Sequence, residues 1–102
     1  MYIDDLTIGE MCVPVWTIGA AYLIRTVTFI YVGKLVNISE KELVLSDASW
    51  IADTGRFYNM LKDGIESQPS SEIEPYLSEV IVSRGALIDA TLYKHKLPSG
   101  QK

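Results

Sequence analysis

Three short clusters in the 102-residue chain carry side chains capable of chemistry: Asp53-Thr54-Gly55, Arg84-Gly85, and the lone His95. Asp-Thr-Gly is how dimeric aspartic proteases present one carboxylate per subunit, the two sharing a proton. Here Arg56 follows directly, and a guanidinium beside such a dyad lowers the carboxylate pKa and spoils the division between acid and base. The alternative is a helix start, with Asp53 or Thr54 accepting from free backbone N–H groups. His95 has no second histidine, and the single Cys12 can build neither an internal disulfide nor a thiolate metal cage. Binding rather than catalysis is therefore expected, with no metal and no cofactor.

The elements that must position these residues read as mostly β. Residues 20–39 are dense in β-branched and aromatic side chains, which predicts two strands or one sharply bent strand, with Gly33 permitting the kink. Ser39-Glu40-Lys41-Glu42 is a polar turn, so 32–38 and 43–47 read as a hairpin. Phe57, Met60 and Leu61 fall at helical spacing, predicting a short helix over about residues 54–63 that ends at Gly64. Residues 65–77 hold Pro69 and Pro75 without a period and read as loop, and 80–85 and 87–93 read as two further short strands broken at Gly85. Trp50, Phe57 and Tyr58 form either a stacking platform or the helix's packing face. Arg25, in an apolar strand, must send its charge to solvent, a carboxylate or an anion. The tail 94–102 reads as a solvated, locally basic end.

Composition bounds what such a chain does. Its length fits one domain, and 48% apolar residues supply a core. No apolar run approaches the ~20 residues of a membrane span, and the first residues lack a basic secretion start, which predicts a cytoplasmic protein without membrane partners. Nine basic against thirteen acidic residues give a net charge of −4, the wrong sign for generic binding to a phosphate backbone.

Gly33-Lys34-Leu35-Val36-Asn37-Ile38 with Leu43-Val44-Leu45-Ser46-Asp47-Ala48 resembles the first motif of the Sm-like (LSm) superfamily, and Val80-Ile81-Val82-Ser83-Arg84-Gly85-Ala86-Leu87-Ile88 resembles the second. The chain is similar to divergent members of bacterial or phage type. The resemblance implies an all-β fold: a small, strongly bent, five-stranded antiparallel barrel with one short inserted helix. It divides the chain into an arm over 1–19, the Sm-like domain over 20–93 with an insertion over 50–79, and a tail over 94–102. It further implies a homo-oligomeric ring of about five to seven subunits, in which the fourth strand of one copy pairs with the fifth of the next. In that family an Arg-Gly loop and an acidic-start loop face the pore and hold RNA. Arg84 and Gly85 match the first loop, whereas Ser39-Glu40-Lys41-Glu42 lacks the aspartate and asparagine of the second, and its two acids repel phosphate. The expected function is a ring-forming binding or scaffold protein, with RNA or a small nucleotide near Arg84, Gly85, Asn37, Arg56 and Trp50. The alternatives are a purely structural ring and the aspartic protease. For Arg84, an intersubunit ion pair with Asp47 or Asp89 stands beside the ligand role.

Overall fold

A computed structural model describes residues 15–102, so the expectations resting on Cys12 and Pro14 lie outside the described residues. Among the described residues six strands, β1 (Ala21–Thr26), β2 (Ile30–Ile38), β3 (Glu42–Asp53), β4 (Glu72–Pro75), β5 (Val80–Ser83) and β6 (Leu87–Leu92), form one antiparallel sheet with a short α-helix, α1 (Phe57–Asp63), packed on one face. The order is β4-β3-β2-β1-β6, with β5 also paired to β3. β4 lies against the far half of β3, Ser49 opposite Pro75, and β5 against the near half, Leu45 opposite Val80. The two therefore run as one interrupted strand along β3. Among the described residues no strand pairing joins β5 to β6, so the sheet does not close.

The sixth strand corrects the expectation of five. β4 emerges from the stretch read as loop, where Glu72-Ile73-Glu74 alternates exposed, buried, exposed, and Pro75 ends the strand because it has no N–H to donate. β3 is also longer than expected: Trp50 through Asp53 are strand rather than the start of the insertion.

The bend in β3 has a local cause. Register with β2 shifts between Val32 opposite Ser49 and Lys34 opposite Ser46, and at this bulge Asp47 adopts a left-handed φ of 49°. Aspartate tolerates that conformation better than most side chains. The bulge presses Ala48 onto Gly33, where an added Cβ would sit 2.9 Å from the Ala48 Cβ. The glycine is thus required by close approach.

Each face of the bent sheet buries a core of its own. On the inner face Tyr22, Ile24, Leu35, Leu43, Leu45 and Val82 form one core. On the outer face Leu23, Val32, Ile51 and Ile73 meet Met60 of α1, Ile65 and Tyr93 in a second. The Tyr93 hydroxyl accepts the Ile65 backbone N–H at 2.9 Å, and burial pushes this phenol's pKa up. Ser49 also faces this outer core, fully buried, and its hydroxyl has no hydrogen-bond partner among the described residues. A desolvated, unpaired hydroxyl costs stability, so Ser49→Ala is expected to stabilise the fold by about 1 kcal/mol. Thermal unfolding should report this as a Tm raised by about 4–8 °C.

The inserted helix differs from expectation in its start. Arg56 occupies the N-cap position and caps with no side-chain hydrogen bond. Asp53 Oδ1 instead accepts the Gly55 N–H at 2.8 Å, a local turn that places Gly55 at φ 71° before the helix begins. Of the expected apolar stripe Met60 is fully buried in the outer core, Leu61 packs half-buried against it, and Phe57 stays exposed. Gly64 ends the helix at φ 98°, its N–H donating to the Met60 carbonyl.

Most of the tail is exposed, as expected, but it is tied down at His95 and Lys102. Lys102 and Ile73 exchange backbone hydrogen bonds of 2.8 and 3.0 Å, which covers the outer edge of β4. The Lys102 Nζ donates to the Gln68 carbonyl at 2.5 Å and to the Ser71 hydroxyl at 2.9 Å. His95 Nε2 lies 2.9 Å from the Leu61 carbonyl, a placement in which the ring donates to the helix.

Candidate functional site

The five residues expected to share a ligand fall in separate places. Arg84 and Gly85 begin a 3-10 turn over Arg84–Ala86 that joins β5 to β6. Arg84 is half-buried; its Nη1 donates to the Ser39 carbonyl at 2.6 Å and its backbone N–H to the Lys41 carbonyl at 2.8 Å. The side chain thereby clamps the end of β5 to the turn between β2 and β3. Asn37 is near that turn, on the outer face, where its side-chain oxygen accepts the Ile38 N–H at 2.8 Å. Arg56 stands exposed at the start of α1. Trp50 lies on the inner face, beside Tyr31 in register. α1 packs against the outer core, so Arg56 and Trp50 belong to opposite sides of the sheet.

The ion pair expected of Arg84 with Asp47 or Asp89 is intersubunit, and a single chain does not test it. Asp89 is engaged by Arg25, which lies opposite it in register; Arg25 Nε donates to Asp89 Oδ1 at 2.7 Å and Nη2 to the other oxygen. This two-point contact holds the Asp89 carboxyl below its usual pKa and raises that of Arg25. Arg25 also sits 5.8 Å over the Phe57 ring. The charge in the apolar strand thus goes to a carboxylate and an aromatic face, and Phe57 is taken by this contact rather than joining Trp50 and Tyr58 in a platform.

Two surface features remain. A concavity of about 630 Å³ lies on the outer face where α1 does not reach, floored by Val36, Val44 and Ile81 and rimmed by Asn37, Ser78 and Glu79. Asn37, Val44 and Ile81 stand side by side across β2, β3 and β5. The second feature is a cluster of rings on the inner face beyond the end of β5. Trp50 meets Phe29 edge-on at 5.7 Å, Phe29 meets Tyr31 at 6.2 Å, and Tyr31 stacks on Tyr76 at 6.1 Å. Only Trp50 of these was a candidate from sequence. The signal was the spacing Phe29-x-Tyr31, which puts both rings on one face of a strand, but the partnership with Trp50 and Tyr76 depends on the register with β3.

No protein-family model, curated protein or solved structure matches the chain. No helix among the described residues is long and apolar enough to cross a membrane.

Proposed function

We propose that the chain is a scaffold or binding module of Sm-like type that assembles with copies of itself, head to tail, into a closed ring. One observation carries this reading: among the described residues β5 pairs only with β3 and β6 only with β1, which leaves one edge of each strand unsatisfied. Free edges usually carry lysine, proline or a covering loop. β5 is Val80-Ile81-Val82-Ser83, without charge, and the single charge of β6, Asp89, is tied up by Arg25.

The two edges also complement one another. Val80 and Val82 face the inner core from β5, while Ala90 and Leu92 of β6 lie on the same face, opposite Ile24 and Tyr22. Setting Val82 antiparallel to Ala90 of the next copy places Val80 against Leu92, Ile81 against Thr91 and Ser83 against Asp89. Leu92, 49% exposed in the single chain, becomes covered. Because the two edges differ, the contact is heterologous and propagates until a ring closes. Arg84 in this reading is a structural clamp that fixes β5, and the ring needs no RNA.

Leu92→Asp tests the proposal. It puts a charge into the apolar strip of the shared edge at a position half-exposed in the monomer, so the fold survives. Light scattering should fall from a multiple of 11.4 kDa to that single-chain mass, with an unchanged circular dichroism spectrum. An identical mass for both proteins would refute β6 as the pairing edge.

A further inference from the structure

We propose that the outer edge of β4 and the turn from Gln68 to Ser71 form a recognition site for an extended segment carrying a lysine, held occupied in cis by the chain's own Lys102. Ile73 turns both its backbone N–H and its carbonyl away from β3, and Lys102 takes both, at 2.8 and 3.0 Å. A reciprocal exchange of this kind is how an antiparallel strand adds to a sheet edge. Residues 94–101 make no backbone–backbone hydrogen bond among the described residues, so Lys102 reaches the edge as a ligand on a tether. With a side-chain period of two, Lys102 follows Ile73 and Gln101 follows Glu74, where Gln101 Nε2 donates to Glu74 Oε1 at 2.8 Å.

The receptor for the lysine head is built before the lysine arrives. Gln68 and Ser71 are buried at 7% and 4% exposure, and their turn is closed by its own bonds. The Ser71 N–H and hydroxyl both donate to the Gln68 carbonyl, at 3.2 and 3.0 Å, and Gln68 Nε2 donates to the Ser67 hydroxyl at 3.0 Å. Three oxygens are left facing the Lys102 Nζ: the Gln68 carbonyl at 2.5 Å, the Ser71 hydroxyl at 2.9 Å and the Ser71 carbonyl at 3.5 Å. An ammonium has three donors and no acceptor, so it matches this set, whereas a planar guanidinium does not.

Charge selects the rest of the segment. Glu72 and Glu74 flank Ile73 on the edge and are exposed. Two such edges paired antiparallel would set glutamate against glutamate, which opposes a second copy of β4 as the occupant and favours a basic strand. Lys102 is itself exposed, so a competing segment can displace it. The tether holds Lys102 at an effective concentration of about millimolar, and a partner must exceed that to enter.

The test is amide hydrogen exchange, read by NMR on the full chain, at Ile73, whose N–H has Lys102 as its acceptor. Lys102→Met keeps the stem but removes the ammonium at an exposed position, and should speed exchange at Ile73 about tenfold while leaving Leu23 in the core unchanged. The peptide Ser-Gly-Gln-Lys, added to that variant at about ten millimolar, above the tether's effective concentration, should restore the protection. The same peptide ending in methionine should not, and on the unaltered protein the lysine peptide should have at most about one tenth of the effect. Unchanged exchange in Lys102→Met, restoration by both peptides, or restoration by neither would overturn the proposal. The β4 edge takes no part in the proposed ring, so this result and the mass of the assembly stand or fall separately.

Discussion

Gly33→Val is expected to destabilise the fold by at least about 3 kcal/mol, the upper end of what overpacking a tight interior costs. The position has no room: even the first added carbon would lie 2.9 Å from the Ala48 Cβ, 3.1 Å from the Ala48 Cα and 3.2 Å from the Leu45 Cβ. Two of those neighbours cannot swing aside, since one is backbone and the other a methyl fixed to it. Relief requires β2 to move away from the bulge at Asp47, and that movement would break the register shift that bends β3. Straightening β3 separates Leu43 and Leu45 from Tyr22 and Ile24 in the inner core. Urea unfolding should show a lower midpoint, and a midpoint within error of the unaltered protein would contradict the assigned bend.

Leu45→Ala has an effect of similar size by the opposite mechanism. Leu45 is fully buried, opposite Leu35 on β2 and Val80 on β5, so it ties three strands together. Truncation removes apolar contacts and leaves a void that strands on both sides prevent from collapsing, at a cost of about 2–5 kcal/mol. Set against the roughly 5–15 kcal/mol that holds a typical domain, either substitution removes a large share. They are distinguishable: Leu45→Ala releases β5 and should increase amide exchange at Val80–Ser83 before global unfolding, whereas Gly33→Val disturbs β2 and β3 along their length.

Much of this architecture was legible in residue type. The β-branched run after residue 20 supplied β1 and β2, and Ser39 and Glu42 close the expected turn through the Glu42 N–H to Ser39 Oγ hydrogen bond of 3.1 Å. Gly33 lies at the close approach beneath the bend, and β5 and β6 lie on either side of Gly85 as expected. What escaped depends on long-range register. β4 has only four residues, two of them glutamate, and becomes a strand because the far half of β3 offers it a partner and Lys102 covers its other edge. No local pattern announces a partner that distant. The helix start was misplaced because Asp53, a good capping residue, spends its carboxylate on Gly55 one turn too early. The ligand-bearing residues were the least legible of all. Arg84, Asn37, Arg56 and Trp50 suggest one site by type, yet a two-faced sheet distributes them, and the aromatic cluster assembles from three separate stretches of chain.

The proposed ring satisfies the free edges of β5 and β6 with further copies of the chain. Multi-angle light scattering on the unaltered protein at micromolar concentration measures this directly. A closed ring gives one species of about five to seven times the single-chain mass. A single species of 11.4 kDa across that range would contradict it.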